Sequence, residues 1–352
     1  MSVDPPPPPL SPHPPRRPDR DKHSLDYVAR SLLAGGIAGC AAKTVVAPLD
    51  RVKILFQTNN PRFEKFSGRF LGVFRAAKEI RDERGIRGLF QGHSATLLRI
   101  FPYAAIKFMA YEQLKGVMAG EGGKLGPAMN AVAGSLAGMS SVFVAYPLDL
   151  LRVRLAYEVH AGEAPTLIGT ARTIYHEPNV FYPNPSPVAR PAVGVLNFYR
   201  GFMPTIYGII PYAGVSFLVY ERLKTFAKIA LAPYTLAPES TPTRPTLTWW
   251  AYLSCGAISG AVAQTSSYPF EVIRRHMQVA GSPASPTSAR STPEQSEAAA
   301  RRTTFQTAQR IWNRKGARGF FVGLSIGYMK VIPMSAASFF VYEWMKVRLG
   351  ID

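Results

Sequence analysis

Six long segments of the chain consist mainly of apolar residues, and each is interrupted by only a few charged ones. We expect helices over residues 27–57, 93–116, 127–158, 202–226, 247–279 and 324–348. Shorter polar segments near 69–82, 167–177 and 303–314 are typical of helices that lie at a membrane interface. The pattern predicts three units, each with a long helix, a short amphipathic helix and a second long helix.

Hydropathy alone leaves the choice between a membrane protein and a soluble protein open. The mean hydropathy of +0.01 is low for a membrane protein, and no uninterrupted apolar run is long enough to be a clear membrane span. As a helix, however, the twenty residues from Gly92 to Glu112 rise about 30 Å, which matches the hydrocarbon core of a bilayer.

A charged motif occurs once in each unit, within APLDRVKILFQ, YPLDLLRVRLA and YPFEVIRRHMQ. It has a proline, an acid two residues later and a base three residues after the acid: Pro48–Asp50–Lys53, Pro147–Asp149–Arg152 and Pro269–Glu271–Arg274. A glycine pair precedes each proline in the same register: Gly35 and Gly39, Gly134 and Gly138, Gly256 and Gly260. Such pairs predict a flat helix face for close packing within a membrane.

A second motif follows in each unit, again in register. It pairs a tyrosine and glutamate with a lysine three residues after the glutamate: Tyr111–Glu112–Lys115, Tyr220–Glu221–Lys224 and Tyr342–Glu343–Lys346. Twenty residues before each glutamate is a glycine, at Gly92, Gly201 and Gly323. Four features kept in register across three units establish an internal threefold repeat.

Charges on membrane helices usually face the interior of the bundle, because burying them in lipid is costly. Each proline bends its helix, and the acid and base that follow share one face. Around a threefold axis they predict three ion pairs: Asp50 with Arg152, Asp149 with Arg274, and Glu271 with Lys53. The second motif predicts a ring at the other end, with candidate pairs Glu112–Lys224, Glu221–Lys346 and Glu343–Lys115. Two rings resemble the two gates that alternating access requires.

Composition adds a chemical constraint. The chain has 41 basic and 22 acidic residues, a formal charge of +19, which favours a polyanionic partner. A nucleic acid is one candidate, but the bases are spread through all repeats and no recognised binding fold appears. An enzyme is another, but His93 and His276 have no nucleophile or metal-ligand spacing around them. Cys40 and Cys255 lie in apolar stretches and are expected to be buried, without a redox or metal role.

These motifs resemble the mitochondrial carrier family over residues from about 25 to 350. The resemblance implies an all-α membrane protein with six transmembrane helices in three tandem repeats, pseudo-threefold symmetry and three short matrix-side amphipathic helices. It also implies a multi-pass inner-membrane transporter with no catalytic residues, cofactor or metal. The proline motifs would form the matrix gate, braced by Gln57 and Gln278 while Ala156 supplies no brace. The tyrosine–glutamate motifs would form the cytoplasmic gate, and cardiolipin would be the structural lipid at Gly92, Gly201 and Gly323.

The family's substrate contact points fall near the middle of the membrane, thirteen residues before each motif glutamate. Here they are Arg99, Gly208 and Lys330, with further contacts expected from Lys43, Tyr103, Lys107, Ile209, Tyr212 and Met334. A glycine–isoleucine pair at the second point is typical of adenine-nucleotide carriers. Tyr212 could stack on a purine, and the four bases could bind phosphates.

Two segments, KTVVAPLDRVKILFQTNNP and GHSATLLRIFPYAAIKFMAYEQLK, are similar to the fungal coenzyme A carriers and the Graves disease carrier group. We therefore expect coenzyme A, its precursor or adenosine 3′,5′-diphosphate as substrate. Another adenine nucleotide, carried by ADP/ATP or ATP-magnesium/phosphate exchange, is the alternative. No calcium-binding loop stands in the N-terminal tail.

The repeats give a domain division and leave several segments outside it. We expect a disordered proline-rich tail at 1–24 and repeats at 25–120, 121–234 and 246–350, with flexible inserts at 178–195 and 280–302. Because three repeats close a bundle within one chain, we expect a functional monomer whose partners are a small anionic nucleotide-like substrate and membrane lipid, with no nucleic acid.

Overall fold

The computed structural model describes residues 25–68, 71–119, 126–159, 165–177, 179, 186, 188–236, 246–282 and 302–350. The predicted tail at 1–24 and residues 283–301 of the second insert lie outside the described residues. Within the described ranges the chain is helical, apart from turns, loops and an isolated bridge between Leu236 and Leu247.

Long helices and short helices alternate along the described part of the chain. The long ones are α1 (Leu25–Gln57), α3 (His93–Ala119), α4 (Pro127–Tyr157), α7 (Phe202–Ile229), α9 (Trp249–Val279) and the pair α11 (Leu324–Met329) and α12 (Val331–Leu349). The short ones are α5 (Leu167–His176), α6 (Arg190–Leu196), α8 (Ala232–Thr235) and α10 (Thr304–Lys315), and α2 (Gly72–Leu89) is intermediate in length.

The long helices form a closed ring whose tightest contacts join one repeat to the next. Helix α3 packs along α4, α7 along α9, and α12 returns to pack along α1. The three helices that carry the proline motifs, α1, α4 and α9, also contact one another. The fold is therefore the predicted six-helix membrane bundle of three helix-pair repeats.

By length and composition alone, four spans of the described residues are able to cross a membrane: Ala29–Gln57, Met129–Tyr157, Arg190–Ile229 and Thr304–Leu349. Helices α3 and α9 fall outside this set because charged and polar side chains interrupt their apolar residues. Each nevertheless packs along a qualifying neighbour, α4 and α7 respectively. Large apolar side chains that stay exposed, including Ile332, Phe339 and Phe340, are consistent with contact with lipid.

Two expectations about local structure are wrong. The last span is not one helix, because it is interrupted at Lys330, between α11 and α12. Pro333 explains the break, since it has no N–H for the carbonyl of Met329 and its ring crowds that turn. The proline-rich insert 178–195 is also not all loop, because residues 190–196 form α6. Asn179 is buried and donates a hydrogen bond to Asn197.

The glycines that precede the second long helices have one conformation in all three repeats. Gly92, Gly201 and Gly323 have φ values of +81°, +80° and +83°, in the left-handed region that favours glycine. Each also packs against the next proline-motif helix. A Cβ on Gly92 would lie 2.7 Å from the carbonyl oxygen of Arg152, and one on Gly201 would lie 3.2 Å from that of Arg274.

The paired glycines before the prolines do not make the predicted close helix contacts. A Cβ added at Gly35, Gly134, Gly138, Gly256 or Gly260 would meet nothing within 4 Å. Only Gly39, of these six, has a neighbour in that range, the Ile100 side chain at 3.7 Å. The close contact of α1 with α3 lies instead at Gly36, where Phe101 packs.

We predict that Gly92→Ala destabilises the bundle, because alanine is strained at this φ and its Cβ would contact the Arg152 carbonyl. The cost should be about 1–3 kcal/mol, seen as a lower apparent unfolding temperature of the purified protein in detergent. Gly134→Ala is the matched control, since this glycine is helical and its Cβ would enter open space. Equal unfolding temperatures for the two variants would contradict the packing described here.

Candidate functional site

The predicted ion pairs between the proline-motif helices are formed. They are Arg152 Nη2 with Asp50 Oδ2 at 2.6 Å, Arg274 Nη2 with Asp149 Oδ2 at 2.6 Å, and Lys53 Nζ with Glu271 Oε1 at 2.8 Å. Each joins one repeat to another, and together they link α1, α4 and α9 in a ring. We call these six residues the matrix-side ring, after the side on which the family resemblance expects them. That side and the role of the ring as a gate both stay predictions.

Glutamines brace two of the three pairs. Gln57 donates to Glu271 at 3.2 Å and to the Tyr268 hydroxyl at 2.9 Å. Gln278 donates to Asp149 at 3.2 Å and to the Tyr146 hydroxyl at 3.2 Å. Each tyrosine hydroxyl in turn donates to the carbonyl of the residue before a left-handed glycine. Tyr268 donates to Val322, and Tyr146 donates to Arg200.

The third pair, between Asp50 and Arg152, is built differently. Ala156 stands where the other repeats have a glutamine, and Ala47 stands where they have a tyrosine before the proline. Asp50 instead receives a second cation, Lys330, whose Nζ lies 2.8 Å from Oδ1. This lysine comes from the predicted substrate site rather than from the ring.

A second predicted substrate residue also reaches the ring. Arg99 Nη1 lies 3.8 Å from Asp149 Oδ1, and its guanidinium lies 5.7 Å from the centre of the Tyr103 ring. Asp149 is already bound by Arg274, and Arg275 approaches it at 3.2 Å. Asp149 therefore has three arginines as neighbours, of which Arg99 belongs to the predicted substrate site.

The other predicted substrate residues are arranged around these two bases. Lys43 Nζ lies 3.4 Å from the sulfur of Met334 and within electrostatic range of Asp50, Lys330 and Arg99. On α7, the Gly208 backbone lies against Phe270, Ile209 is half-buried and Tyr212 is 46% exposed. Lys107 is exposed. The structure thus brings Lys43, Arg99 and Lys330 together next to the ring. Lys107 makes none of these contacts.

The ion pairs predicted at the other end of the bundle are not those observed. Lys224 contacts Glu221 at 3.3 Å and Lys346 contacts Glu343 at 3.4 Å, so these pairs lie within one helix rather than between helices. Glu112 and Lys115 are both exposed. Within the described ranges, therefore, ion pairs between helices join the residues of the matrix-side ring. At the opposite end, the Glu221–Lys224 and Glu343–Lys346 pairs each lie within one motif.

A buried cluster beside the ring was missed by the sequence analysis. Glu177 binds Arg154 through both oxygens, at 2.8 and 3.0 Å, and Arg200 at 2.8 Å. Both arginines also donate to the carbonyl of Ala280, so they cap the end of α9. The three residues come from different segments of repeat 2 and have no counterpart in register, so no repeat pattern marks them.

Two cavities lie beside the left-handed glycines. One of about 340 Å³ adjoins Gly201 and the start of α10, and it is mostly apolar, with Arg200 and Arg302 at its edge. Another of about 870 Å³ adjoins Gly92 and the start of α5, and its basic lining residues are Arg62, Arg84 and Arg87. Both combine helix starts, apolar walls and cations, which suits an anionic lipid head group.

Comparison with known proteins decides the family. Residues 25–122, 123–183, 188–230 and 245–352 match the model of the family described as mitochondrial carrier protein. The chain belongs to the mitochondrial carrier family.

Individual carriers are similar over nearly the whole chain. The mitochondrial carrier protein LEU5 of Saccharomyces cerevisiae is 47% identical over 94% of this chain and 93% of its own length. The human solute carrier family 25 member 16 is 41% identical over 91% and 88%. The maize mitochondrial carrier protein CoAc1 is 37% identical over 93% and 89%. This protein is accordingly a multi-pass transporter of the mitochondrial inner membrane.

We predict that reversing one charge of the Lys53–Glu271 pair destabilises the protein, and that reversing both charges restores most of its stability. Lys53→Glu or Glu271→Lys alone sets like charges together in a largely buried position and should cost about 2–4 kcal/mol. The double variant restores the attraction across the same gap. The measurement is the apparent unfolding temperature of each variant in detergent. A double variant no more stable than either single one would show that the pair is not the stabilising contact.

We also predict that Glu177→Gln destabilises the protein more than the loss of an exposed pair would. The change leaves Arg154 and Arg200, whose side chains are 4% and 5% exposed, without their carboxylate. An uncompensated buried charge costs about 3–5 kcal/mol. Asp26→Asn, which breaks the exposed pair with Arg30, is the control and should cost less than about 1 kcal/mol. Similar losses of unfolding temperature in both variants would contradict the assignment.

Proposed function

We propose that this carrier moves coenzyme A, or the closely related adenosine 3′,5′-diphosphate, across the inner membrane by alternating access. The observation that carries the proposal is that Arg99 and Lys330 contact the carboxylates of the matrix-side ring, while Lys43 lies against Met334 in the same region. Three cations in one membrane-enclosed site are costly unless carboxylates or an anionic substrate offset them. A substrate with several phosphates meets that requirement.

The two rings support the gating half of the proposal. Three ion pairs between helices join the matrix-side ring, whereas at the opposite end Lys224 binds Glu221 of its own motif, and Glu112 and Lys115 are exposed. That difference fits a state that is closed on the matrix side and accessible from the cytoplasm. The glycine pairs that border open space leave room for α1, α4 and α9 to approach their neighbours in the opposite state.

The substrate class follows from the chemistry of the site. Ile209 offers an apolar face on α7, and Tyr212, which is 46% exposed, can stack on a purine. Arg99 can bind a phosphate bidentately, and Lys43 and Lys330 add charge. Coenzyme A supplies an adenine for the apolar face with Tyr212, and a 3′-phosphate and a diphosphate for the bases. We propose coenzyme A in preference to ADP because the α1 and α3 segments resemble those of coenzyme A carriers.

We further propose that cardiolipin occupies the cavities beside Gly92 and Gly201, and an equivalent position at Gly323. The arginines at the cavity edges and the helix starts suit its phosphates, and the apolar walls suit its acyl chains. The lipid would link the start of one repeat's second long helix to the short helix of the next repeat.

The deciding experiment is uptake of labelled coenzyme A into liposomes that contain the purified protein. ADP, ATP and adenosine 3′,5′-diphosphate are added as competitors. We expect saturable uptake that coenzyme A and the 3′,5′-diphosphate inhibit best. Uptake of ADP or ATP without uptake of coenzyme A would favour the alternative, an adenine-nucleotide carrier.

We predict that Arg99→Ala and Lys330→Ala each abolish this uptake while leaving a folded protein, because each removes a phosphate-binding cation. Removal of one charge-assisted contact costs about 1.5–3 kcal/mol, or about ten- to a hundredfold in affinity. Arg81→Ala is the control, since this arginine is exposed on α2 and far from the site in the fold. Normal uptake by both site variants would make the substrate-site assignment wrong.

A further inference from the structure

We propose that Gln264 on α9 is a further residue of the substrate site, and that its side-chain amide binds the edge of the adenine ring and sets the preference for adenine over other bases. The inference rests on the proposed function, because it assumes a substrate that contains adenine. The repeated motifs and the contact points predicted from the sequence do not include this glutamine.

The position of Gln264 along its helix is that of Lys43 in the first repeat. Each residue stands five residues before the motif proline and seven before an acid of the matrix-side ring, Glu271 and Asp50 respectively. Seven residues are about two helical turns, so each side chain shares a face with that acid and lies about 10 Å farther along the helix. Because the ring acids face the interior of the bundle, Gln264 faces it too.

The contacts of Gln264 agree with this position. A Cβ on Gly327 of α11 would lie 2.7 Å from Nε2 of Gln264 and 3.6 Å from Nζ of Lys53, so the amide lies near a base of the ring. Gly327 stands three residues before Lys330, which is a predicted substrate contact. Glycine at position 327 therefore makes room for the glutamine side chain, since a Cβ there would collide with the amide.

The amide of Gln264 is not used by the protein itself. Its side chain is half-buried and makes no hydrogen bond with any residue that the structure describes. The hydroxyl of the next residue, Thr265, by contrast donates to the carbonyl of Ala261 at 2.8 Å. An amide inside a membrane bundle is costly unless a hydrogen-bond partner satisfies it. A bound ring with its own donors and acceptors supplies that partner.

The apolar face proposed for the base lies at the same level as Gln264. Gly208 of α7 lies against Phe270 and the carbonyl oxygen of Ser267, and the C-terminal part of α7 packs against the N-terminal part of α9, so the two helices run in opposite directions. Tyr212 stands four residues beyond Gly208. It is therefore level with residues about one turn before the Gly208 contact on α9, and these include Gln264.

A glutamine amide and adenine match at the edge formed by N6 and N7 of the base. The amide oxygen accepts from the N6 amino group while the amide nitrogen donates to N7. Guanine presents two acceptors, O6 and N7, at that edge, so the amide oxygen would face a second acceptor. Tyr212 stacks equally well on either base, and the cations bind the phosphates of both. Gln264 is the residue that distinguishes them.

The test compares two inhibitors that differ only in their base. Uptake of labelled coenzyme A into liposomes is inhibited by adenosine 3′,5′-diphosphate or by guanosine 3′,5′-diphosphate, and the ratio of the two inhibition constants is measured. The variants are Gln264→Leu, which removes the amide at similar volume, and Gly327→Ala, whose Cβ displaces it. Thr265→Val is the matched control, because it removes a neighbouring polar group that already has its partner within the protein.

We expect the wild type and Thr265→Val to bind the adenosine compound about tenfold more tightly than the guanosine compound. The ratio should fall to within about twofold in Gln264→Leu, and in Gly327→Ala if Gln264→Leu does not fold. A wild-type ratio that persists in these variants, or a wild type that accepts both bases equally, would overturn the proposal. If the wild type takes up ADP and not coenzyme A, the proposed substrate is wrong, and the ratio for ADP and GDP still decides the role of Gln264.

Discussion

A carboxylate inside a membrane-spanning bundle is tolerated only when cations meet it at close range, and three such carboxylates set the geometry of this protein. Asp50, Asp149 and Glu271 each bind a base of another repeat, so the three proline-motif helices must meet at one level. The left-handed glycines then bring the neighbouring helix starts against this level, with Gly92 on Arg152 and Gly201 on Arg274. Ring, braces and helix starts are therefore one connected structure.

The sequence predicts this part of the molecule well because it is repeated. Three copies in register locate the helices and all three ion pairs without any tertiary information. What occurs once was not found: the cluster at Glu177 joins segments with no counterpart in the other repeats, and the break at Lys330 depends on one proline. The pairs expected for Glu221 and Glu343 were also not found, because Lys224 and Lys346 contact the glutamates of their own motifs and sequence register cannot distinguish such contacts from contacts between helices.

The residues predicted to bind the substrate depart from threefold symmetry. The scaffold residues recur, whereas the bases above the ring do not: Arg99 and Lys330 correspond to Gly208, and Lys43 has no basic counterpart in register. An asymmetric ligand needs such an asymmetric site, and a moving bundle needs a repeated frame. Asp50 belongs to both parts of the structure. Ala47 and Ala156 replace the tyrosine and glutamine of the other repeats, and Lys330 of the predicted substrate site binds Asp50 instead.

The two ends of the bundle should open and close in opposition around a central anion site. This movement is tested most directly by distance measurements between spin labels, with Cys40 and Cys255 replaced by serine. One pair, at Ala29→Cys and Ala131→Cys, reports the ends of α1 and α4 farthest from the ring, and another, at Arg81→Cys and Arg172→Cys, reports the matrix-side helices. On addition of coenzyme A we predict a shorter population for the first pair and a longer one for the second. Distances that stay unchanged, or that shorten or lengthen together, would contradict the account.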